Sequence, residues 1–348
     1  MTGNSTSKLE VSYCNDPIAW DCFARKHSEL VYFQWRWREV VEAAFGHRPH
    51  YLQAKNTNGD IVAILPLFEL KSVLFGHFYL SLPFVNYGGI LASDKRAVEA
   101  IVGYCETMGT SSGISHLLLR EDKELSCEWQ CEQHKVTMLL DLPDQVDTLW
   151  SQIGSKRRAQ IKRPAKEGAI CRFGHIELLS DFYYVFARNM RDLGTPVYGR
   201  GWFAEILKRL DRESQLALVY LNGQPVAAGF LIRHGRRMEI PWASSLREAN
   251  PFGVNMLLYW EILKWSIEQG CEVFDFGRSS KDANTYRFKK QWGSQPHQLY
   301  WYNWLPAGNA LPQLDPGSSK FALAIAAWQR LPVPVANLLG PGIVKYLP

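Results

Sequence analysis

The chain has 348 residues, of which 39 are Lys or Arg and 34 are Asp or Glu, and its formal net charge is +5. With 47% hydrophobic and 21% charged residues, the composition is that of an ordinary globular protein of about two domains, which excludes a disordered or collagen-like chain. The seven cysteines contain no C-x-x-C pair, so neither a disulfide framework nor a zinc knuckle is predicted.

The first half of the chain predicts one α/β module. Asn58-Gly59 separates two strand-like runs, and both residues tolerate the left-handed backbone of a tight hairpin turn. Gly109 follows a helical pattern as a typical C-terminal stop. The expected elements are, in order, a helix at 35–44, a hairpin within 51–68, a helix at 95–108 and a strand at 116–120.

A basic segment separates the two halves. Residues 155–166 contain six Lys or Arg and no acid, so the rest of the chain carries 33 bases against 34 acids. A domain that grips a long nucleic acid would spread its bases over a face, so this distribution favours a local anion site. If the segment is helical, we expect Pro164 to kink it.

The second half repeats the pattern. Asn222-Gly223 marks a hairpin turn, and Gly270 follows a helical run. A further hairpin is expected at His234-Gly235. The expected elements are, in order, a helix at 202–210, a hairpin within 216–232, a helix at 254–268 and a strand at 272–277.

Two copies of one module explain the length better than one large domain. The order of helix, antiparallel hairpin, helix and returning strand is that of the GNAT acyltransferase fold. We therefore expect a tandem GNAT fold of the α/β (α+β) class, with mixed antiparallel and parallel sheets flanked by helices. The predicted divisions are a first module at 1–145, a basic junction at 146–168, a second module at 169–305 with most of the active site, and a Pro-rich apolar tail at 306–348.

The two ends of the chain predict where the protein acts. The first thirteen residues lack a charged start followed by an apolar run, so no secretory signal is predicted and we expect the cytoplasm. The apolar tail is broken by Gln329, Arg330 and several prolines, so no spanning helix is predicted. Either the tail packs on the protein body or it contacts the inner membrane peripherally.

The basic segment is the first candidate binding site. As a helix it would place Arg158, Lys162 and Lys166 on one face, and Arg157 lies beside them. A phosphate-bearing donor such as tRNA or CoA, or a nucleotide-linked acceptor, would supply the counter-charge that the segment lacks. The alternative is a solvated charged face between modules.

Residues 286–294 are the second candidate. Interpreted as a strand, they turn Tyr286, Phe288 and Trp292 to one side, and Arg287, Lys289 and Gln291 to a cleft on the other. Lys289 could then neutralise a phosphate, or the oxyanion that develops when an amine attacks an ester or thioester. The alternative is a surface strand whose lysine stems lie along apolar neighbours.

Further polar groups lie near the predicted cleft. Asp275, between Phe274 and Phe276 on its strand, could accept a proton from an attacking amine, or it could pair with Arg278. The remaining candidate substrate-binding residues are Arg278 itself, Arg188, Asn189 and Arg191 at the end of a helix, and Trp242, Ser244 and Ser245 on the cleft floor. The histidines have no paired metal-binding spacing, so metal catalysis is not expected.

The motifs together resemble a known family. They are FGHFYLSLPFVNYGGILA (75–92), SKRRAQIKRPAKEG (155–168), RNMRDLGTPVY (188–198), EIPWASS (239–245), NMLLYW (255–260), FDFGRSS (274–280) and TYRFKKQWG (285–293). Over about residues 10–305 the chain resembles the FemAB-like branch of the GNAT superfamily. More narrowly it is similar to the FemAB proteins associated with the exosortase/PEP-CTERM system.

This resemblance implies transfer of an acyl or aminoacyl group to an amine, with acyl-CoA or aminoacyl-tRNA as co-substrate and no tightly bound cofactor. Lys289 matches the family's phosphate-contacting lysine. The acceptor would be a small-molecule, lipid-linked or nucleotide-linked amine of a cell-envelope or exopolysaccharide precursor. Two alternatives stay open: a CoA-dependent acetyltransferase acting on a small amine, and a non-catalytic module that binds nucleic acid or anionic lipid.

Overall fold

A computed structural model describes residues 9–73, 75–308 and 319–347. These residues form two compact units, the first made of residues 9–136 and 297–308 and the second of residues 137–296 and 319–347. The units differ from the predicted divisions. Residues 137–145 and 146–168 lie inside the second unit, instead of in the first module and between modules. Residues 297–305 return to the first unit, and the tail residues 319–347 belong to the second unit.

The elements follow the chain in this order. Up to residue 132 they are β1 (Glu10–Tyr13), α1 (Pro17–His27), α2 (Trp35–Phe45), β2 (Arg48–Lys55), β3 (Ile61–Ser72), β4 (Gly76–Ser81), β5 (Leu91–Ala92), α3 (Lys95–Ser112), β6 (Leu117–Glu121) and β7 (Gln130–Glu132). Next come β8 (Lys135–Asp141), α4 (Val146–Gln152), α5 (Ser155–Lys166), β9 (Ile170–Gly174), α6 (Leu179–Leu193), α7 (Arg200–Arg209), β10 (Ser214–Leu221), β11 (Gln224–His234), β12 (Arg237–Ser245), α8 (Val254–Glu268), β13 (Val273–Ser280), α9 (Asn284–Lys290) and β14 (Gln295–Gln298). The last are β15 (Tyr300–Trp304), α10 (Ser319–Gln329) and α11 (Val333–Val344).

Each unit is built on one mixed sheet. The first sheet has the strand order β1-β2-β3-β4-β6-β15-β7, with β5 paired to β3, and the second has the order β14-β8-β13-β12-β11-β10-β9. In each sheet one parallel pair follows a crossover helix: β4 with β6 across α3, and β12 with β13 across α8. The predicted duplication is therefore confirmed: α2-β2-β3-β4-α3-β6 in one unit corresponds to α7-β10-β11-β12-α8-β13 in the other.

The two predicted Asn-Gly hairpins are both present, but their turns differ. Asn222 and Gly223 have φ angles of 52° and 77° and join β10 directly to β11, as predicted. The first turn is instead a longer loop, residues 56–60. The Asn56 side chain accepts backbone hydrogen bonds from Asn58 and Asp60, both at 2.9 Å, and so stabilises the wider loop.

The predicted end of α3 at Gly109 is wrong. The helix continues to Ser112 and ends at Gly113, which has a φ of 64°. Gly109 lies inside the helix because Trp304 of β15 packs against it. A Cβ atom at Gly109 would lie 2.3 Å from Cζ3 of that ring, so glycine here permits close packing instead of ending the helix.

In the first unit, the carboxyl ends of β4 and β6 are covered by residues 82–90. This loop includes Leu82 and Phe84, whose φ angles of 37° and 72° are unusual for residues with side chains. Its backbone is bonded to β6: Gly88 N–H donates to the Arg120 carbonyl, and Ile90 N–H to Oε1 of Glu121, both at 2.8 Å. Burial raises the pKa of Glu121 to about 8.

The C-terminal helices α10 and α11 pack against α6. Arg191 Nη1 donates a 2.8 Å hydrogen bond to the Leu331 carbonyl, between the two helices. A Cβ atom at Gly340 of α11 would lie 2.8 Å from the backbone nitrogen of Val197, so α11 is in close backbone contact with the chain that follows α6. Within the described part of the chain, no helix combines the length and apolar character needed to cross a membrane.

Candidate active site

The second unit contains a cavity of about 300 Å³ at the carboxyl end of β12. In an open sheet, the carboxyl end of parallel strands is where ligands commonly bind. Most of the lining residues have polar but uncharged side chains, and one is a cation. The lining residues are Asn189, Ala243, Ser244, Ser245, Asn255, Tyr259, Asn284, Thr285, Phe288 and Lys289.

Lys289 is the cation of this wall. It is only 8% exposed, and its Nζ donates hydrogen bonds of 2.9 Å to the carbonyls of Gly277 and Arg278. Burial lowers the pKa of Lys289 to about 8, although Asp275 and Glu239 favour the charged form. The ammonium group has three hydrogens, so the two carbonyl bonds leave one for a ligand in the cavity.

The predicted strand at residues 286–294 is wrong. Residues 284–290 form helix α9, and Lys289 lies on its buried side while Arg287 is exposed. Phe288 and Trp292 still share a side because they are four residues apart, a spacing that fits both an alternating strand and a helix. The helix nevertheless brings Thr285, Phe288 and Lys289 together at the cavity wall.

The first turn of α8 forms another part of the wall. Gly253, with a φ of 79°, precedes this helix, and Asn255 in its first turn lines the cavity. The first N–H groups of a helix have no partner within it and carry a partial positive charge. A Cβ atom at Gly253 would lie 3.5 Å from the Gln160 carbonyl, so the basic helix α5 passes close to this helix terminus.

Asn189 and Ser244 form a hydrogen-bonded pair on the opposite side of the wall. Asn189 Nδ2 donates to Ser244 Oγ at 3.1 Å, and the neighbouring Ser245 donates to Asn250 at the same distance. Tyr259 lies beside them in an aromatic cluster with Phe276 and Phe288. Burial raises the pKa of the Tyr259 phenol, so it stays protonated and can donate a hydrogen bond.

Asp275 is placed behind the cavity instead of at its wall. The side chain is fully buried, and Oδ1 accepts hydrogen bonds from Thr137 Oγ1 at 2.5 Å and from Gly277 N–H at 2.8 Å. This geometry does not place the carboxylate where an acceptor amine in the cavity would touch it. The negative charge of Asp275 favours the charged form of Lys289. The hydrogen bond that Asp275 accepts from Gly277 N–H also holds in place the segment whose carbonyl accepts from Lys289.

The other predicted site residues are dispersed. Arg188 pairs with Glu248 at 2.8 Å, so it is one of the salt-bridged groups common at helix ends. Trp242 packs against Phe203 and Phe230 in the core. Besides these, Arg191 holds the Leu331 carbonyl, Arg278 is half-buried, and Arg287 and Gln291 are exposed away from the cavity. Of the predicted set, only Asn189, Ser244, Ser245 and Lys289 line the cavity.

The basic segment is helix α5 over Ser155–Lys166, and it continues through Pro164 in its last turn. Arg158 is used structurally, since its Nη1 donates to the Ile153 carbonyl at 2.6 Å. Lys162 Nζ lies 5.4 Å from the centre of the Trp150 ring, and Arg157 is half-buried. The three predicted residues therefore lie together on α5, near the start of α8 but outside the cavity wall.

Sequence reasoning missed six lining residues, which are Ala243, Asn255, Tyr259, Asn284, Thr285 and, as a wall residue, Phe288. The helical spacing of Thr285, Phe288 and Lys289 is the signal that could have found the α9 group. Tyr259 follows Asn255 by four positions on a helix that was predicted correctly. Without the position of the cavity, this pair could not be told from other residues of an apolar helix.

Comparison with known proteins places this site in a recognised type of domain. Residues 155–290 match the family model of the acetyltransferase (GNAT) domain. No curated protein matches the chain in sequence.

Solved structures support the same fold over most of the chain. A structure of FemX has a TM-score of 0.64 at 14% identity, with 84% of this chain and 97% of that one covered. L-PGS from Bacillus licheniformis gives 0.56 at 15% identity, covering 92% and 100%. A tandem GNAT protein of the clavulanic acid biosynthesis pathway gives 0.55 at 10% identity, covering 87% and 100%. The chain is therefore a tandem duplication of the GNAT fold, and its second copy contains the matched acetyltransferase domain.

Proposed function

We propose that the protein is an N-acyltransferase or aminoacyltransferase whose active site is the cavity of the second unit. It moves an acyl or aminoacyl group from a phosphate-bearing donor to an amine. The observation that carries this proposal is Lys289, a buried cation at the wall of a cavity within the segment that matches an acetyltransferase domain. The exosortase-associated branch suggested by the sequence motifs makes an envelope or exopolysaccharide precursor the favoured acceptor.

The reaction requires a developing negative charge to be stabilised. The amine nitrogen attacks the acyl carbonyl carbon, the C–S bond of a thioester or the C–O bond of an aminoacyl ester breaks, the nitrogen loses a proton, and the leaving atom gains one. The hydrogen of the Lys289 ammonium that the Gly277 and Arg278 carbonyls do not use would bind the acyl carbonyl oxygen as it becomes an oxyanion. The protonated phenol of Tyr259 can donate to the leaving sulfur or oxygen.

The groups that would bind the donor phosphates are the start of helix α8, with its partial positive charge, and the basic helix α5. The first turn of α8 lines it and is poised to interact with an anion through free N–H groups and the helix dipole. Helix α5, whose Gln160 carbonyl lies near this helix terminus, carries Lys156, Arg157 and Arg163, and no ion pair with an acidic group is found for their side chains among the described residues. This arrangement suits either CoA or the end of an aminoacyl-tRNA.

A transfer assay separates the proposals. We expect purified protein to move label from acetyl-CoA or from aminoacyl-tRNA to an amine, and Lys289→Met to lower the rate about a hundredfold, the usual effect of losing one oxyanion donor. Arg287→Ala is the matched control, because Arg287 lies on the same helix but is exposed. Wild-type rates for Lys289→Met would contradict the assignment of Lys289.

Two alternatives predict different results. A CoA-dependent acetyltransferase of small amines, favoured by the family match, would use acetyl-CoA alone. A non-catalytic module that binds polyanions through α5 would transfer nothing. Its affinity would instead fall steeply with salt, with a log–log slope reduced when the bases of α5 are neutralised.

A further inference from the structure

Helices α10 and α11 present an apolar face that no described residue covers. Leu338 and Leu323 are 80% and 71% exposed, and Leu339 and Val335 are 48% and 39% exposed. In α11 the exposed residues 335, 338, 339 and 342 follow helical spacing, so they form one continuous face. Soluble proteins rarely leave adjacent leucines exposed on one face unless that face binds something.

The opposite face of α11 is firmly packed, which fixes the orientation of the exposed one. Ala336, Gly340 and Val344 are buried, and Gly340 lies against the Val197 backbone. The interpretation that the tail packs on the protein body therefore applies to one face of α11, and the other face remains apolar and exposed.

The charge of this segment selects the kind of surface that it fits. Residues 319–347 contain Lys320, Arg330 and Lys345 and no Asp or Glu. An apolar helix face combined with only basic charges is the pattern of helices that lie in the interface of an anionic bilayer. A second copy of the chain would place these like charges against each other, which favours the lipid surface over self-association.

We propose that α10 and α11 dock the protein on the surface of an anionic lipid bilayer. The exposed leucines insert at the boundary between headgroups and acyl chains, and Arg330 and Lys345 interact with lipid phosphates. Helix α6, on which this pair is packed, also contributes Asn189 to the cavity. Docking would therefore bring the unit that contains the cavity to a lipid-linked amine acceptor. This consequence rests on the proposed function, but the docking itself does not depend on it.

Vesicle flotation with the full chain tests the docking. The vesicles are phosphatidylethanolamine with about a third phosphatidylglycerol, compared with vesicles of phosphatidylcholine alone. We expect binding to the anionic vesicles, weakened at least about tenfold by Leu338→Ser combined with Leu339→Ser. Arg330→Gln should weaken binding to the anionic vesicles about fivefold. Ile18→Ser is the matched control, since Ile18 is equally exposed, at 81%, in the first unit.

Three results would overturn the proposal. They are no binding to anionic vesicles, equal binding to phosphatidylcholine, and unchanged binding of the double leucine variant at an unchanged melting temperature. Light scattering tests the alternative occupant, a second copy of the chain. If the protein is a dimer that the leucine substitutions dissociate, this face is an interface between copies. Because flotation requires no catalysis, its failure is distinguishable from failure of the proposed transfer activity.

Discussion

The two units share one order of elements but use the carboxyl end of their parallel strand pair differently. In the second unit this end holds a cavity of about 300 Å³ with Lys289 in its wall. In the first unit residues 82–90 fold back over the ends of β4 and β6 and bury Glu121. At corresponding positions, therefore, the second unit has a cavity that can take a ligand, and the first unit is filled by residues 82–90 of its own chain.

The largest expected effect concerns the loop that covers the first unit. A Cβ atom at Gly89 would lie 1.8 Å from Oε1 of Glu121, so Gly89→Ala must displace a buried carboxyl group. We expect a loss of about 3 kcal/mol in the free energy of unfolding. Gly103→Ala is the control, because Gly103 lies within α3 with nothing near its Cβ position, and it should stabilise the helix by up to about 1 kcal/mol. Chemical denaturation measures both, and equal stabilities would contradict the packing described for the loop.

The next effect is a pH dependence caused by Glu121. The pKa of Glu121 is about 8 in the folded chain and about 4.5 in the unfolded chain. Between these two pH values the folded state keeps a proton that the unfolded state has released. Stability should therefore fall as pH rises, by about 2.5 kcal/mol between about pH 6 and pH 8 from this group. Glu121→Gln retains the acceptor for Ile90 N–H but does not titrate. If melting curves of the variant and the wild type show the same dependence on pH, Glu121 is not the cause.

In the second unit the corresponding test is the pH dependence of activity. The pKa of Lys289 is lowered to about 8, so the cation to which we assign stabilisation of the oxyanion is present below that value. Transfer should therefore decline as pH rises through about 8, by roughly thirtyfold at about pH 9.5. An arginine keeps its charge over this pH range, so Lys289→Arg should move the decline in transfer rate to higher pH, even if the overall rate of the variant is lower. If the rate of the arginine variant declines at the same pH as that of the wild type, the decline is caused by the titration of another group.

The smallest expected effect concerns the Asn189–Ser244 pair. Ser244→Ala removes the hydroxyl that holds the Asn189 amide at 3.1 Å, and we expect the rate to fall about fivefold. Ser266→Ala is a suitable control, since the Ser266 hydroxyl is also buried but donates within α8 to the Ile262 carbonyl, away from the cavity wall. Steady-state kinetics would contradict a positioning role for Ser244 if both variants behaved alike.

The sequence predicted the repeated elements because their signals are local. The Asn222-Gly223 turn and the helix that ends before Gly270 depend on residues a few positions apart. Residues 286–294 were interpreted wrongly because Phe288 and Trp292 satisfy both a period of two and a helical turn.

The site was harder to predict than the fold. Lys289 was identified, but the position of Asp275 depends on Thr137, which is distant in sequence and forms the hydrogen bond that keeps the carboxylate buried. Arg188 and Arg191 looked like substrate ligands because the sequence does not show that Glu248 and the Leu331 carbonyl occupy them. Long-range partners decide whether a polar side chain is available to a ligand.

Strand β15 has a consequence for how the chain is made. It lies between β6 and β7 of the first sheet, and Tyr302 donates its hydroxyl hydrogen to the Leu125 carbonyl, 177 residues earlier in the sequence. At ribosomal speeds this separation is on the order of ten seconds or more of synthesis. During that time the first unit exposes two unpaired strand edges and the surface of Gly109 that Trp304 later covers. The amino-terminal unit thus cannot finish folding before the second has been translated, and nascent chains should need chaperone protection during this interval.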